Sequence, residues 1–229
     1  LGAEGVDARA VAVEPGASTG TALIEVEAGG ENRIILVPGA NEGVNSVFIE
    51  SRTGEINSCE IVLLQLEIPL EGVIRAAEMV KSAGHTVILD PAPAQPLPDN
   101  LLSLTDILTP NETEATTLTG QETATPDGAW KAAEILQSRG AGMVIIKAGR
   151  RGAYLADKGD FSLVPGFPVE SIDTTGAGDS FNAGLAVALT RGMAIREAVR
   201  FANAVGALST TGRGAQGAMP ILSKVEALL

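Results

Sequence analysis

Apolar and polar residues alternate in two different ways along this chain. From Thr21 to Glu27 they alternate in steps of two toward Gly29-Gly30, and Arg33 to Val37 resumes as an apolar run. Two such runs about a glycine pair predict a β-hairpin. Beyond Pro38-Gly39 the pattern becomes short apolar runs separated by helical spacing. Ile61 to Leu64 is uniformly apolar, as a strand buried on both faces must be. Glu71 to Ala83 is helical and closes on Gly84 at the position after the cap. Strands are expected at Thr86–Leu89, Asp106–Leu108 and Met143–Lys147, and a helix at Asn111–Leu118. Asp127 is expected to cap a helix running to Arg139 and closed by Gly140. Further β segments are expected at Ala153–Ala156, Phe161–Val164 and Val169–Ile172, and two helices at Asp179–Thr190 and Ile195–Leu208. In the first of these, Phe181, Leu185 and Leu189 form one apolar face.

Repeated strand–helix alternation predicts an α/β sandwich around a mostly parallel sheet. The hairpin and its return, residues 1–40, form a small β appendage, and residues 41–229 form the α/β domain. Asp90 to Pro98 reads as a stiff proline-rich loop leaving a strand end. With 45% hydrophobic residues and only 3% aromatics, the core is built from Val, Ile, Leu and Ala. Trp130, on the helix after Asp127, is expected to pack rather than to stack on a ligand.

The formal net charge of −12 excludes nucleic acid and anionic lipid as natural partners. An anionic ligand must therefore be held by local devices. No apolar run approaches the ~18 residues of a membrane span. Leu1 to Ala10 shows no secretory pattern, which points to the cytoplasm. Cys59 is the single cysteine, expected to be buried and inert. His85 is the single histidine, and no Gly-x-Ser-x-Gly elbow accompanies it, so serine-hydrolase chemistry is excluded.

The segment richest in chemistry is Asp173-Thr174-Thr175-Gly176-Ala177-Gly178-Asp179-Ser180-Phe181-Asn182-Ala183-Gly184. Glycines at a helix start leave free backbone N–H groups, which together with the helix dipole make an anion pocket. Asp179 stands at its edge, where a carboxylate can accept the proton of a substrate hydroxyl or can merely cap the helix. The string is neither a dinucleotide fingerprint nor a Walker loop.

The whole string resembles the C-terminal signature of the ribokinase (PfkB) carbohydrate-kinase family. Asn111-Glu112-Thr113-Glu114 resembles that family's Asn-x-x-Glu motif, and Lys147-Ala148-Gly149-Arg150-Arg151-Gly152 its nucleotide loop. Gly30-Glu31-Asn32-Arg33-Ile34, Pro38-Gly39-Ala40-Asn41 and Arg213-Gly214-Ala215-Gln216 resemble its ribose-specific branch. The resemblance covers essentially the whole chain. The family's N-terminal sugar-binding strand and its Gly-Gly-x-Gly-x-Asn segment are not in this sequence.

The resemblance implies a three-layer sandwich with a mostly parallel central sheet and a small β lid, lacking the N-terminal strands. It also implies an enzyme that passes the γ-phosphoryl of ATP to a sugar primary hydroxyl, D-ribose in the ribose-specific branch. Asp179 would be the base, with Gly176, Ala177 and Gly178 holding the charge that develops. Asn111, Glu114, Lys147, Ala148, Gly149, Arg150, Arg151, Gly152, Gly178 and Asn203 would face the nucleotide. Glu114 would organise Mg2+ through water, and Glu67 and Asp179 would face the sugar. Asp173, Thr175, Ser209, Gly212 and Gly214 would surround K+, with Ala218 where the family often has Ser. A homodimer through the lid hairpin is the expected assembly. Other acceptors within the family are fructose, a keto-deoxy sugar acid or a nucleoside; a non-catalytic nucleotide-binding remnant is the rival from another class.

Overall fold

A computed structural model describes residues 2–26 and 32–229. The expected Gly29-Gly30 turn, Gly30-Glu31 and the side chains of Ile24 and Val26 lie outside the described residues. Strands β1 (Thr21–Val26) and β2 (Asn32–Val37) pair antiparallel, with Thr21 opposite Val37 and Val26 opposite Asn32. They form a two-stranded sheet apart from the main one. Leu23, Ile35, Leu36 and Val37 on it are exposed.

Two short helices follow, α1 (Ser46–Glu50) and α2 (Thr53–Asn57). Asn45 caps α1 by accepting the Phe48 N–H at 3.0 Å. Each is five residues long, too short to show a period, so the hydrophobic pattern does not reveal them.

The main sheet starts with β3 (Ile61–Leu64), α3 (Leu70–Ser82), β4 (Thr86–Leu89), α4 (Asp99–Leu104) and β5 (Ile107–Leu108). It continues through α5 (Glu112–Thr119), α6 (Pro126–Ser138), β6 (Met143–Lys147), β7 (Gly152–Asp157) and β8 (Asp160–Pro165). Helices α7 (Ala177–Thr190), α8 (Ile195–Ser209) and α9 (Leu222–Leu228) close the chain. Strand order is β3-β4-β5-β6-β7-β8; β3 to β6 are parallel, β7 is antiparallel to β6, and β8, antiparallel to β7, runs parallel to the first four.

The pleat sorts side chains onto two faces. Val87, Leu89, Val144 and Ile146 meet Val73, Val80, Leu101 and Leu136 of α3, α4 and α6. Ile88 and Ile145 meet Leu185 and Val199 of α7 and α8. The result is the expected three-layer sandwich, and each fully buried Leu, Ile or Val contributes about 1.5–3 kcal/mol to it. Among the described residues no strand covers the outer edge of β3, and Leu63 there is exposed.

Three expectations need correction. Thr125, not Asp127, caps α6: its hydroxyl accepts the Gly128 N–H at 3.1 Å, and Pro126 supplies the first helical residue. Val169–Ile172 is not a strand. Ile172 and Asp173 donate their N–H groups to the Thr210 carbonyl, so this segment is tied to the end of α8 rather than to the sheet. Cys59 is exposed because it lies between α2 and β3, outside the layers, with its thiol 3.4 Å from the Glu55 carbonyl. Trp130 does pack: its ring lies 5.1 Å from that of Phe161, which stacks on Tyr154 at 5.3 Å.

Candidate active site

A parallel sheet gathers whatever follows its strands at one edge, and open α/β folds bind ligands there. Gln65 and Glu67 follow β3, Asp90 follows β4, Asn111 follows β5, and Lys147 ends β6. All five line one cavity of about 860 Å³ together with Glu114, Gly149, Arg150, Gly152, Gly176, Ala177, Gly178, Asp179 and Asn203.

The glycine turn is built as its sequence requires. Gly176 precedes α7 at φ +76°, and a Cβ there would lie 3.1 Å from the Ala215 side chain. The helix begins at Ala177, two residues earlier than expected, so Asp179 sits within its first turn rather than capping it. Ala177 spends its N–H on the Thr174 carbonyl at 3.1 Å, which removes it from the anion pocket. The N–H groups of Gly178 and Asp179 remain in the first turn, where a helix has no acceptor for them. Asp179 is exposed to the cavity, and its Oδ1 accepts a 2.8 Å bond from Gln65 Nε2.

Asn111 and Glu114 form a closed capping box at the start of α5. Asn111 Oδ1 accepts the Glu114 N–H at 2.8 Å. In return Glu114 accepts from the Asn111 backbone N–H at 2.6 Å and from Nδ2 at 2.7 Å. Burial raises the Glu114 carboxyl above the ordinary range, opposed by the Asn111 N–H and the nearby Lys147 charge.

The loop after β6 bends at Gly152, whose φ is +104° and whose Cβ would lie 2.1 Å from the Val164 carbonyl. Two residues expected at the nucleotide do not reach the cavity. Ala148 is buried, with its N–H on the Gly152 carbonyl, and Arg151 turns away to Glu112 and the Ala124 carbonyl. Asn203 reaches it, but its amide also donates to the Val164 and Pro165 carbonyls at 3.0 and 3.2 Å.

The residues expected at a cation lie behind the turn. Asp173 accepts the Thr175 and Gly214 N–H groups, each at 2.9 Å, and is held down to about 2 by those bonds. Ser209 Oγ donates to the Gly206 carbonyl, and the Ala218 Cβ faces Gly212. Two cavity groups escaped the sequence reading, Gln65 and Asp90. Neither belongs to a motif, and only strand order brings them to Asp179 and Lys147.

Residues 1–222 match the profile of the pfkB family carbohydrate kinases. The chain is 43% identical over 217 residues to a ribokinase of Haemophilus influenzae, covering 95% of this chain and 71% of that one. It is 33% identical to a deoxyribokinase of Salmonella typhi, covering 98% and 74%. Among solved structures, Arabidopsis thaliana ribokinase complexed with ribose and ATP superposes with a TM-score of 0.87 at 37% identity, covering 93% of this chain and 70% of that one. With a family profile matched over nearly its full length and relatives of which it covers about 70%, the chain belongs to the pfkB family of carbohydrate kinases.

Proposed function

We propose that this chain transfers the γ-phosphoryl group of ATP to the primary hydroxyl of D-ribose, giving D-ribose 5-phosphate and ADP. The observation that carries the reading is Asp179, a carboxylate over an anion pocket and inside the cavity that holds the nucleotide-facing segments. The identity to the Haemophilus ribokinase and the likeness to the ribose- and ATP-bound Arabidopsis enzyme support the substrates. Asp179 takes the hydroxyl proton as the new O–P bond forms and the bond to the β-phosphate breaks. The Gly178 and Asp179 amides receive the charge that spreads over the phosphoryl oxygens. At the sugar end Glu67 and Asp179 are both carboxylates, which favours a neutral polyol over a sugar acid.

The residues also fit two ions. Glu114 uses each oxygen once within the capping box, leaving lone pairs suited to the waters of a hydrated Mg2+. When bound with ATP, Mg2+ supplies charge neutralisation for the phosphates. Asp173, ionised and joined to Gly214, suits a monovalent cation such as K+, completed by carbonyls of the Ser209–Gly214 segment and lacking a hydroxyl at Ala218. The exposed Leu23, Ile35, Leu36 and Val37 support a dimer through the hairpin, and an ATP-consuming role fits the cytoplasm.

Ribose-dependent ADP release tests the reading. Asp179→Asn is expected to lower turnover by at least ~10²-fold while ATP binding stays nearly unchanged. A variant that keeps most of its turnover removes Asp179 as the base, and a preference for deoxyribose, fructose or a nucleoside reassigns the acceptor.

A further inference from the structure

Beneath the glycine turn, Lys147, which the resemblance sets among the nucleotide-facing residues, forms a buried ion pair that the reading above does not use. Lys147 Nζ donates to both oxygens of Asp90, at 3.0 and 2.8 Å, and the two side chains are only 13% and 6% exposed. From the α7 side, Asn182 Nδ2 donates to the same carboxylate at 2.5 Å. Asp90 is thus gripped by a lysine 57 residues away and an asparagine 92 residues away.

A buried ion pair is a poor source of stability, since desolvation offsets the attraction. Its position is more informative. A Cβ placed on Gly178 would lie 3.4 Å from Lys147 Nζ, so the ammonium packs directly under the turn that faces the transferring phosphoryl. An ammonium has three donors; Asp90 occupies two and leaves one for the cavity. The other charged residues of the lining are Arg150, which is exposed, and the carboxylates Glu67, Glu114 and Asp179. Within so acidic a lining, Lys147 is the cation fixed at depth.

We propose that Lys147, held by Asp90 and Asn182, is a γ-phosphate-reading group: it engages the terminal phosphoryl of a bound nucleoside triphosphate and makes no contact with a diphosphate. The proposal rests on the kinase reading and deepens it. It makes Lys147 a direct phosphate ligand and Asp90 a positioning residue that aims it. Discrimination between substrate and product nucleotide is then set at the floor of the site rather than on the exposed loop.

Calorimetric titration of the full chain with magnesium-loaded ADP and with a non-hydrolysable ATP analogue separates the possibilities. Lys147→Met leaves Asp90 buried without its charge partner, so the double variant Asp90→Asn/Lys147→Met guards against a folding defect. Both variants are expected to bind the analogue about 10- to 100-fold more weakly while ADP affinity changes by less than about twofold. Lys147→Arg, which keeps the charge, is expected to recover part of the preference. Equal weakening of both nucleotides, or no weakening of the analogue, overturns the proposal alone. A wild-type chain that binds neither nucleotide overturns the kinase reading along with it.

Discussion

The side chain that orients Asp179 is Gln65, whose amide donates to Oδ1 across 114 residues of sequence. In the proposed reaction, that bond would leave the second carboxylate oxygen for the sugar hydroxyl. Gln65→Ala is expected to lower kcat by roughly 10-fold, with nucleotide affinity unchanged, because a hydrogen bond to a charged group is lost. Gln65→Glu should be worse despite its matching shape, since it sets a like charge beside the proposed base. If Glu is tolerated better than Ala, the amide acts through shape and not through orientation of the carboxylate. At this scale the sequence was legible wherever residues sat in one contiguous string, as Asp173–Gly184 and Asn111–Glu114 do. Gln65 and Asp90 were opaque because their roles arise only where parallel strands end side by side. Ala177 and Arg151 misled for the opposite reason: they sit inside the right strings, yet their polar groups are spent on Thr174 and on Glu112.

Strands β4 and β6 coincide with their apolar runs because a strand buried on both faces tolerates little else, and β3 coincides as well although Leu63 is exposed at the sheet edge. Helices α1, α2, α4 and α9 were not legible, being five to seven residues long. The Asp173 loop and the segment after α8 are joined by the Asp173–Gly214 bond, and that joint is expected to weaken in acid. Asp173 is depressed from 3.8 to about 2 in the fold, so its contribution to stability is present above 3.8 and is lost as pH falls through about 2. Thermal melts between these limits should therefore decline less steeply for Asp173→Asn than for the wild type. Parallel decline of the two would place the acid lability elsewhere.

Across the whole molecule the dominant feature is charge. A −12 chain repels a polyanionic nucleotide at long range and accepts it only through local amides and cations. Screening shortens that repulsion from ~30 Å at 0.01 M salt to ~8 Å at 0.15 M. The association rate of ATP, at fixed magnesium, should accordingly rise with salt; a fall by stopped-flow would mean that Lys147 and Arg150 dominate the approach. An α/β sandwich around a mostly parallel sheet was legible because strand–helix alternation admits few alternatives, whereas its three layers and β lid were legible only through the family resemblance. The placement of the Ser209–Gly214 segment behind the turn was not legible, since it depends on the long return from α8.

The stacked aromatics also give this protein an optical address. Trp130 is its only tryptophan, and through Phe161 and Tyr154 it is linked to the loop before β7, where the Arg151 guanidinium lies 5.9 Å from the Tyr154 ring. Excitation at the red edge of indole absorption therefore reports from a single point, two rings from that loop. A shift of this emission on titration with ADP is the expected sign that a nucleotide occupies the loop, read without any dye, label or coupled enzyme.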